Sequence, residues 1–235
     1  MADYKEMIGK FVLKYLVVPK APKVEKDKIR IACIGDSITY GAGVVGKNYK
    51  HSTWEYFLQQ KLGDDYQVLN YGISGRTLQN EGDYPYRKEK FYRITHKIQA
   101  EIYIIMLGTN DCKTRYGASA SVIARGLDQV IRKARLNASQ HFDLLVVSPI
   151  HLGHGVGEAD FDPEFDERSE VVSRNLANEY RKVALQNHAA FLNAADFASP
   201  STTDREHMDE VGHAALADAI YDKITALEKG LANVI

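Results

Sequence analysis

Three runs of apolar residues stand out along the chain because each one stops abruptly at small or polar residues. The runs cover residues 29–34 before G-D-S, 102–107 before G-T-N-D and 144–147 before S-P. A run that is apolar at nearly every position is typical of a strand covered on both faces, as in a parallel sheet. Two weaker runs, 66–69 and 190–193, add a fourth and a fifth predicted strand.

Helical patterns lie between these runs. Apolar residues recur at helical spacing over 53–62, 122–136, 171–184 and 211–227. Strand and helix therefore alternate along the chain, which predicts a doubly wound α/β sheet. Such sheets bind their ligands beyond the carboxyl ends of the strands, so we expect the functional residues directly after the apolar runs.

The first 28 residues are set apart from this alternation. Apolar residues at helical spacing predict a short amphipathic helix within 4–18, and a connector rich in Pro and Lys follows over 19–28. The pattern thus divides the chain into an amphipathic helix with its connector (1–28) and one folded domain (29–235). We expect the helix to pack on the body of the protein.

Size, charge and cysteine content narrow the class of protein. A chain of 235 residues suits one domain, and a formal net charge of -1 gives no electrostatic basis for binding nucleic acid. Two cysteines cannot make a disulfide framework and fit a reducing compartment. The apolar stretch 11–18 is short and interrupted by Lys14, and no signal-peptide cleavage site follows it. These features predict a cytoplasmic protein without a membrane span.

The segment G-A-G-V-V-G-K-N, from Gly41 to Asn48, has the glycine spacing of a nucleotide-binding loop. A phosphate loop needs its first glycine directly after a strand and its last residue at the start of a helix. Here residues 36–40 intervene, and the next helical pattern begins only at about residue 52. We interpret Gly41–Gly46 as a flexible loop, and a nucleotide-binding protein built on Gly41–Asn48 is the alternative from another class.

The residues after the first three runs suit nucleophilic catalysis. Ser37 follows the first strand, and Gly35 before it allows a tight turn. A serine hydroxyl needs a base to take its proton and donors to hold the developing oxyanion. Gly72 after the second strand offers a backbone N–H, and Asn110 after the third offers a side-chain amide.

A base and a carboxylate to orient it occur together near the C-terminus. In S-T-T-D-R-E-H, Asp204 and His207 are three residues apart, before a helix that Asp209 could cap. His213 is the rival base, but it lies one turn into that helix beside Gly212, which favours packing. We therefore expect His207 to be the base.

These four segments resemble the conserved blocks of the SGNH hydrolases, also called GDSL esterases and lipases. The blocks are G-D-S-I-T (35–39), N-Y-G-I-S-G (70–75), G-T-N-D (108–111) and D-x-x-H (204–207), in family order. The resemblance implies a flavodoxin-like three-layer α/β/α sandwich with about five parallel strands. One local departure is that bulky charged Arg205 and Glu206 stand where members often carry a small residue.

The same resemblance implies a role for each block. Ser37 would be the nucleophile, with His207 as base and Asp204 as its partner. The oxyanion donors would be the Ser37 N–H, the Gly72 N–H and the Asn110 side chain. No cofactor and no metal are implied.

Other reactive side chains have ordinary explanations. Ser74 lacks the G-x-S-x-G elbow of the other hydrolase fold, and Cys112 has no assigned base. His151, His154 and Asp160 could bind a metal, but their spacing lacks a third strong partner, so we expect a loop that lines the substrate site.

The sequence thus predicts a serine esterase acting on short-chain acyl esters, acetyl first, of a small molecule or a carbohydrate. Acyl transfer and thioester hydrolysis use the same residues and stay open as alternatives, as does a carbohydrate-binding module that has lost activity. The sequence leaves a homo-oligomer open.

Overall fold

The computed structural model describes residues 23–25, 27–44, 51–78 and 98–229. The amphipathic helix predicted within 4–18 lies outside the described residues. So does most of the connector, and the division at residue 28 stays a prediction.

Five parallel strands form the single sheet of the described residues. They are β1 (Ile29–Gly35), β2 (Tyr66–Gly72), β3 (Ile102–Met106), β4 (Asp143–Ser148) and β5 (Ala190–Asn193). Their order in the sheet is β2-β1-β3-β4-β5, so β2 lies on one side of β1 and the strands from β3 onwards lie on the other side. This is the flavodoxin-like doubly wound order, so the predicted fold class is confirmed.

The register of the sheet brings the polar segments after the strands to one level. Gly35, the last residue of β1, pairs with Gly72 of β2 on one side and with Met106 of β3 on the other. The G-D-S, N-Y-G-I-S-G and G-T-N-D segments therefore leave the sheet side by side.

Five α-helices in the described part of the chain connect and cover the strands. They are α1 (Ser37–Tyr40), α2 (Trp54–Leu62), α3 (Ala120–Asn137), α4 (Glu167–Gln186) and α5 (Glu210–Glu228). Side chains cap four of them. Asp36, Ser119, Asp166 and Asp209 accept hydrogen bonds from backbone N–H groups in the first turns of α1, α3, α4 and α5. Within the described ranges, no helix combines the length and apolar character needed to cross a membrane.

The sheet is covered on both faces, which makes three layers. Along β1, Ile31 and Cys33 belong to one buried apolar cluster, and Ala32 and Ile34 belong to the other. The first cluster continues into α2 and α5, and the second into α3 and α4. This double burial explains why the strands are apolar at nearly every position.

Tyr180 of α4 fixes the chain where β3 ends. Its hydroxyl donates a hydrogen bond to the Leu107 carbonyl oxygen at 2.9 Å, and the side chain is fully buried. A Cβ on Gly108 would lie 2.4 Å from that hydroxyl, so only glycine fits there. Tyr180 thus holds the G-T-N-D turn, which carries Asn110.

Replacing Tyr180 with Phe should lower the free energy of unfolding by about 1–3 kcal/mol, because it leaves the buried Leu107 carbonyl without its donor. Urea denaturation monitored by circular dichroism measures the change. Tyr56→Phe is the matched control, since the Tyr56 hydroxyl makes no hydrogen bond with any described residue. Equal stability of both variants would show that the hydrogen bond contributes nothing.

Candidate active site

Helix α1, which begins at Ser37, lies directly on the backbone of two strands. A Cβ on Gly35 would stand 1.9 Å from Thr39 Oγ1, and one on Gly72 would stand 2.2 Å from the Tyr40 backbone nitrogen. Neither position leaves room for a side chain. Both glycines therefore serve the close approach of α1 to the sheet.

Ser37 is the first residue of α1. Asp36 caps the helix, with its Oδ1 accepting a hydrogen bond from the Ile38 N–H at 3.0 Å. The Ser37 N–H is one of the first amides of a helix, which have no carbonyl of a preceding turn to bind, and the helix N-terminus favours negative charge. Ser37 itself is buried but retains 5% exposure. Its hydroxyl and its amide thus lie together at one edge of the sheet.

His207 joins Ser37 to Asp204. His207 Nε2 lies 2.8 Å from Ser37 Oγ, although the two residues are 170 positions apart in the chain. On the opposite side of the ring, His207 Nδ1 lies 2.8 Å from Asp204 Oδ2. The structure therefore brings all three residues of the predicted triad into one chain of hydrogen bonds.

The D-x-x-H loop orients its own carboxylate. Asp204 Oδ1 accepts hydrogen bonds from the backbone N–H groups of Glu206 (3.0 Å) and His207 (2.9 Å). Arg205 between them has a left-handed backbone conformation, with φ of 59°. Its carbonyl accepts a hydrogen bond from the Gly153 N–H at 2.8 Å. The loop is thus tied to a second loop that follows β4.

Asn110 is buried at the end of β3 with 3% exposure. Its side-chain Nδ2 donates to the Arg76 carbonyl oxygen at 3.3 Å. That is the only hydrogen bond of its amide group with the described residues, so the second N–H of Nδ2 is available to a ligand. The amide stands beside the turn that follows β2.

The Gly72 N–H has a different environment from the one the sequence suggested. It donates to Asn70 Oδ1 at 2.8 Å, within its own strand. Asn70 is held in turn, because its Nδ2 donates to the Thr39 carbonyl (2.6 Å) and to Glu55 Oε1 (2.9 Å). In this geometry the Gly72 N–H already has an acceptor.

Gly75 is a backbone donor that sequence reasoning passed over. It lies in the turn after β2 with φ of 74°, and its N–H donates to no group in the described part of the chain. The next residue, Arg76, anchors the turn to β1 through a hydrogen bond from Nη1 to the Gly35 carbonyl at 2.9 Å, and its own carbonyl binds Asn110. The second glycine of N-Y-G-I-S-G was the available signal, since a positive φ favours glycine.

Three carboxylates surround the imidazole of His207. Burial lowers the pKa of His207, but the charge of Glu206, the hydrogen bond and charge of Asp204, and the charge of Asp36 raise it, and the net shift is upward from 6.5. Burial also raises the pKa of Asp204, but its hydrogen bonds with His207 and the charge of the ring outweigh this and lower it. Burial raises the pKa of Asp36 to about 6. The site therefore favours a positive charge on the ring.

The rival histidine and cysteine are structural. His213 is fully buried, its Nδ1 accepts a hydrogen bond from the Trp54 N–H at 3.2 Å, and burial lowers its pKa to about 4. Cys112 is buried, and burial raises the pKa of its thiol far above the usual range. Neither group suits a base or a thiolate nucleophile.

The loop after β4 does not assemble a metal site. His154 is exposed and lies 3.3 Å from Glu170 Oε2, and Asp160 is exposed. Across the described ranges, no three His, Cys, Asp or Glu side chains cluster in a way that could hold a metal ion. Ser74 lies in the turn after β2, half-buried.

The first glycines of the Gly41–Asn48 segment serve the same edge of the sheet. Gly41 ends α1 in a left-handed conformation with φ of 98°. A Cβ on Gly43 would lie 2.5 Å from the Cβ of His207, so this glycine lets the loop pass close to the His207 side chain. Residues 45–50, which include Lys47 and Asn48, lie outside the described residues.

All four sequence blocks lie within a part of the chain that matches a known protein family. Residues 33–215 match the model of the GDSL-like Lipase/Acylhydrolase family. An acetylxylan esterase of Xylanibacter ruminicola is 29% identical over an alignment of 223 residues that covers 85% of this chain and 44% of that protein. The chain thus spans less than half the length of this relative.

Solved structures show the same fold. The native aryl esterase of M. smegmatis superposes with a TM-score of 0.75 at 26% identity, covering 84% of this chain and 99% of that one. A carbohydrate acetylesterase from Sinorhizobium meliloti also gives a TM-score of 0.75, at 24% identity, covering 85% of this chain and all of that one. The matches confirm the resemblance drawn from the four sequence blocks.

Glu55 beneath the site should make stability depend on pH. It is 3% exposed, and burial raises its pKa to about 8, although hydrogen bonds from its own backbone and the Thr53 side chain oppose the shift. The unfolded chain ionises Glu55 near 4.5, so between that pH and 8 the unfolded state binds fewer protons than the folded state. The stability that the neutral carboxyl provides is complete below 4.5 and is lost as the pH rises through 8.

Glu55→Gln should remove this loss. The free energy of unfolding of the variant minus that of the unmodified protein should therefore be roughly 1–4 kcal/mol larger at pH 8 than at pH 5. The amide is isosteric and can still accept the hydrogen bond from Asn70. Urea denaturation at both pH values gives the comparison, and Glu210→Gln at an exposed position is the control. An unchanged pH dependence in Glu55→Gln would contradict the assignment.

Proposed function

Because the chain belongs to the GDSL-like lipase/acylhydrolase family, we propose that it is a serine esterase in which Ser37 attacks short-chain acyl esters, with His207 as base and Asp204 orienting it. The observation that carries the proposal is the continuous contact from Ser37 Oγ through His207 to Asp204, with 2.8 Å at each junction. Distances of this size are those of hydrogen bonds that can pass a proton.

In the first half of the reaction, Ser37 Oγ forms a bond to the ester carbonyl carbon while its proton moves to His207 Nε2. The Asp204 carboxylate stabilises the imidazolium that results. When the tetrahedral intermediate collapses, the bond to the alcohol oxygen breaks and Nε2 returns the proton to that oxygen. The alcohol leaves, and the acyl group stays on Ser37 as an ester.

In the second half, water takes the place of the alcohol. His207 Nε2 accepts a proton from the water as it adds to the acyl carbon, and then returns a proton to Ser37 Oγ as the acid departs. An alcohol or a thioester could enter the same cycle. Acyl transfer and thioester hydrolysis are therefore the alternatives that use the same residues.

The oxyanion would be held by the Ser37 N–H and the second N–H of Asn110 Nδ2. Gly72, the third donor implied by the sequence, would have to release Asn70 Oδ1 before its N–H could bind an oxyanion. The Gly75 N–H needs no such exchange, and its neighbour Arg76 contacts Asn110. We therefore favour Gly75 as the third donor.

Acetyl esters of carbohydrates are the substrate class that we favour. The support is that one relative is an acetylxylan esterase and that a carbohydrate acetylesterase shares the fold. A nucleotide-binding function built on Gly41–Asn48 is the less favoured alternative. The end of α1 and the passage over His207 account for Gly41 and Gly43 without a bound phosphate.

Removing the nucleophile and one oxyanion donor should have separable effects. Ser37→Ala should reduce hydrolysis of p-nitrophenyl acetate to near background, while Asn110→Ala should lower kcat by about 100- to 1000-fold, because one donor to the oxyanion is lost. Steady-state kinetics on acetate, butyrate and octanoate esters measure both effects and also test the preference for short acyl groups. Circular dichroism checks that the variants are folded. Turnover by Asn110→Ala close to that of the unmodified protein would remove Asn110 from the mechanism.

The rate should also depend on pH through His207. A base must be neutral to accept a proton, so kcat/KM should fall as the pH drops through the pKa of His207, which lies above 6.5. The measurement is kcat/KM for p-nitrophenyl acetate from about pH 5 to 9, followed at the isosbestic wavelength of the product. A flat profile over this range, with the chemical step limiting, would exclude His207 as the base.

A further inference from the structure

Glu206 brings a second carboxylate to the imidazole of His207. Its Oε1 lies 3.8 Å from Nε2, the ring nitrogen that also contacts Ser37, whereas Asp204 binds the opposite nitrogen. The Glu206 side chain is 7% exposed. It accepts no hydrogen bond from any residue in the described ranges. A nearly buried carboxylate without a donor needs a partner.

The backbone of the D-x-x-H loop sends its two charged side chains in different directions. Arg205 leaves the site, with its guanidinium 3.8 Å from the centre of the Phe161 ring and its Nη1 3.1 Å from Glu158 Oε2. The left-handed conformation of Arg205 and the hydrogen bond from the Glu206 N–H to Asp204 fix the next residue. Glu206 is consequently held beside the reacting groups.

The proton path of the proposed esterase puts a leaving alcohol at this point. His207 Nε2 returns its proton to the alcohol oxygen, so that oxygen must come within hydrogen-bond distance of Nε2. A carboxylate oxygen 3.8 Å from the same nitrogen can then reach a hydroxyl on the carbon next to the ester.

We propose that Glu206 is a specificity-determining residue that accepts a hydrogen bond from a hydroxyl of the leaving alcohol adjacent to the ester oxygen. This inference rests on the proposed esterase function and deepens it. The preferred substrates would then be esters of polyhydroxylated alcohols, such as partly acetylated sugars. Alcohols without a neighbouring hydroxyl leave the carboxylate without a partner, which costs binding.

The charge of Glu206 has a second effect on selection. Asp36, Asp204 and Glu206 all face His207, and the other titratable groups at the site are Arg76 near Asp36 and His213, which burial keeps neutral above a pH of about 4. Carboxylates thus outnumber the guanidinium where the alcohol would bind. A leaving group with its own negative charge should be disfavoured, because like charges repel at short range.

The first test compares 2-hydroxyethyl acetate with 2-methoxyethyl acetate, which differ only in the neighbouring hydroxyl. The unmodified protein should show kcat/KM about 10-fold or more higher for the hydroxyl compound, as expected for a hydrogen bond to a charged group. Glu206→Ala should bring this ratio close to one, and Glu206→Gln, which keeps an acceptor without the charge, should retain part of it. Acetate release gives the rates.

The second test compares 4-acetoxybenzoate with neutral 4-acetoxybenzamide. The unmodified protein should favour the neutral ester, and both Glu206 variants should raise the relative kcat/KM for the anionic one. Because a carboxylate that raises the pKa of His207 is gone, Glu206→Gln should also shift the acid limb of the pH profile to lower pH. Glu210→Gln, an exposed change of the same charge on the next helix, should leave both ratios and the profile unchanged.

The outcomes separate this inference from the proposed function. If the unmodified protein hydrolyses none of these esters, both the esterase function and the role of Glu206 are overturned. Hydrolysis of both glycol esters at equal kcat/KM, or a hydroxyl preference that persists in Glu206→Ala, would overturn the role of Glu206 alone. If kcat/KM of the Glu206 variants falls equally on all four substrates and the pH profile does not shift, Glu206 has only a structural role.

Discussion

The contact of helix α1 with the backbones of β1 and β2 is the constraint on which the candidate site depends. Gly35 and Gly72 let the helix approach so closely that a single added Cβ would overlap Thr39 or the Tyr40 nitrogen. At Gly72 the atoms of α1 that make this contact belong to its backbone and cannot adjust by a change of rotamer, so the contact fixes α1 more rigidly than side-chain packing would. Ser37 at the start of α1 inherits that position, and His207 then meets it from the far end of the chain.

The fold could be predicted from the sequence because the sheet is buried on both faces. Strands such as β3, buried at all five positions, produce runs without polar interruption. The ends of the helices were predicted less accurately, because they depend on capping side chains. Asp166 caps α4, which begins four residues before the predicted start at 171. Helix α1 escaped prediction because four residues are too few to show a helical period.

The residues that meet at the candidate site could also be named from the sequence, but the state of their hydrogen bonds could not. The rule that ligands bind beyond the carboxyl ends of parallel strands selects Ser37 and Asn110 directly. It does not reveal that Asn70 occupies the Gly72 N–H, because that bond depends on a side chain held by Thr39 and Glu55 from other elements. It likewise could not show that Glu206 turns inward while Arg205 turns outward, since spacing carries no information about rotamers.

The carboxylates around His207 set opposing demands on the proposed reaction. They stabilise the imidazolium that forms in both halves of the cycle, yet they also keep the ring protonated at a pH where a free base is needed. Burial of the ring opposes them, because a desolvated imidazole favours its neutral form. Asp36, with a pKa of about 6, loses its charge as the pH falls. The neutral carboxyl no longer raises the pKa of His207, so the ring then releases its proton more readily. The acid side of the activity should therefore decline less steeply than it would beside carboxylates that stay ionised.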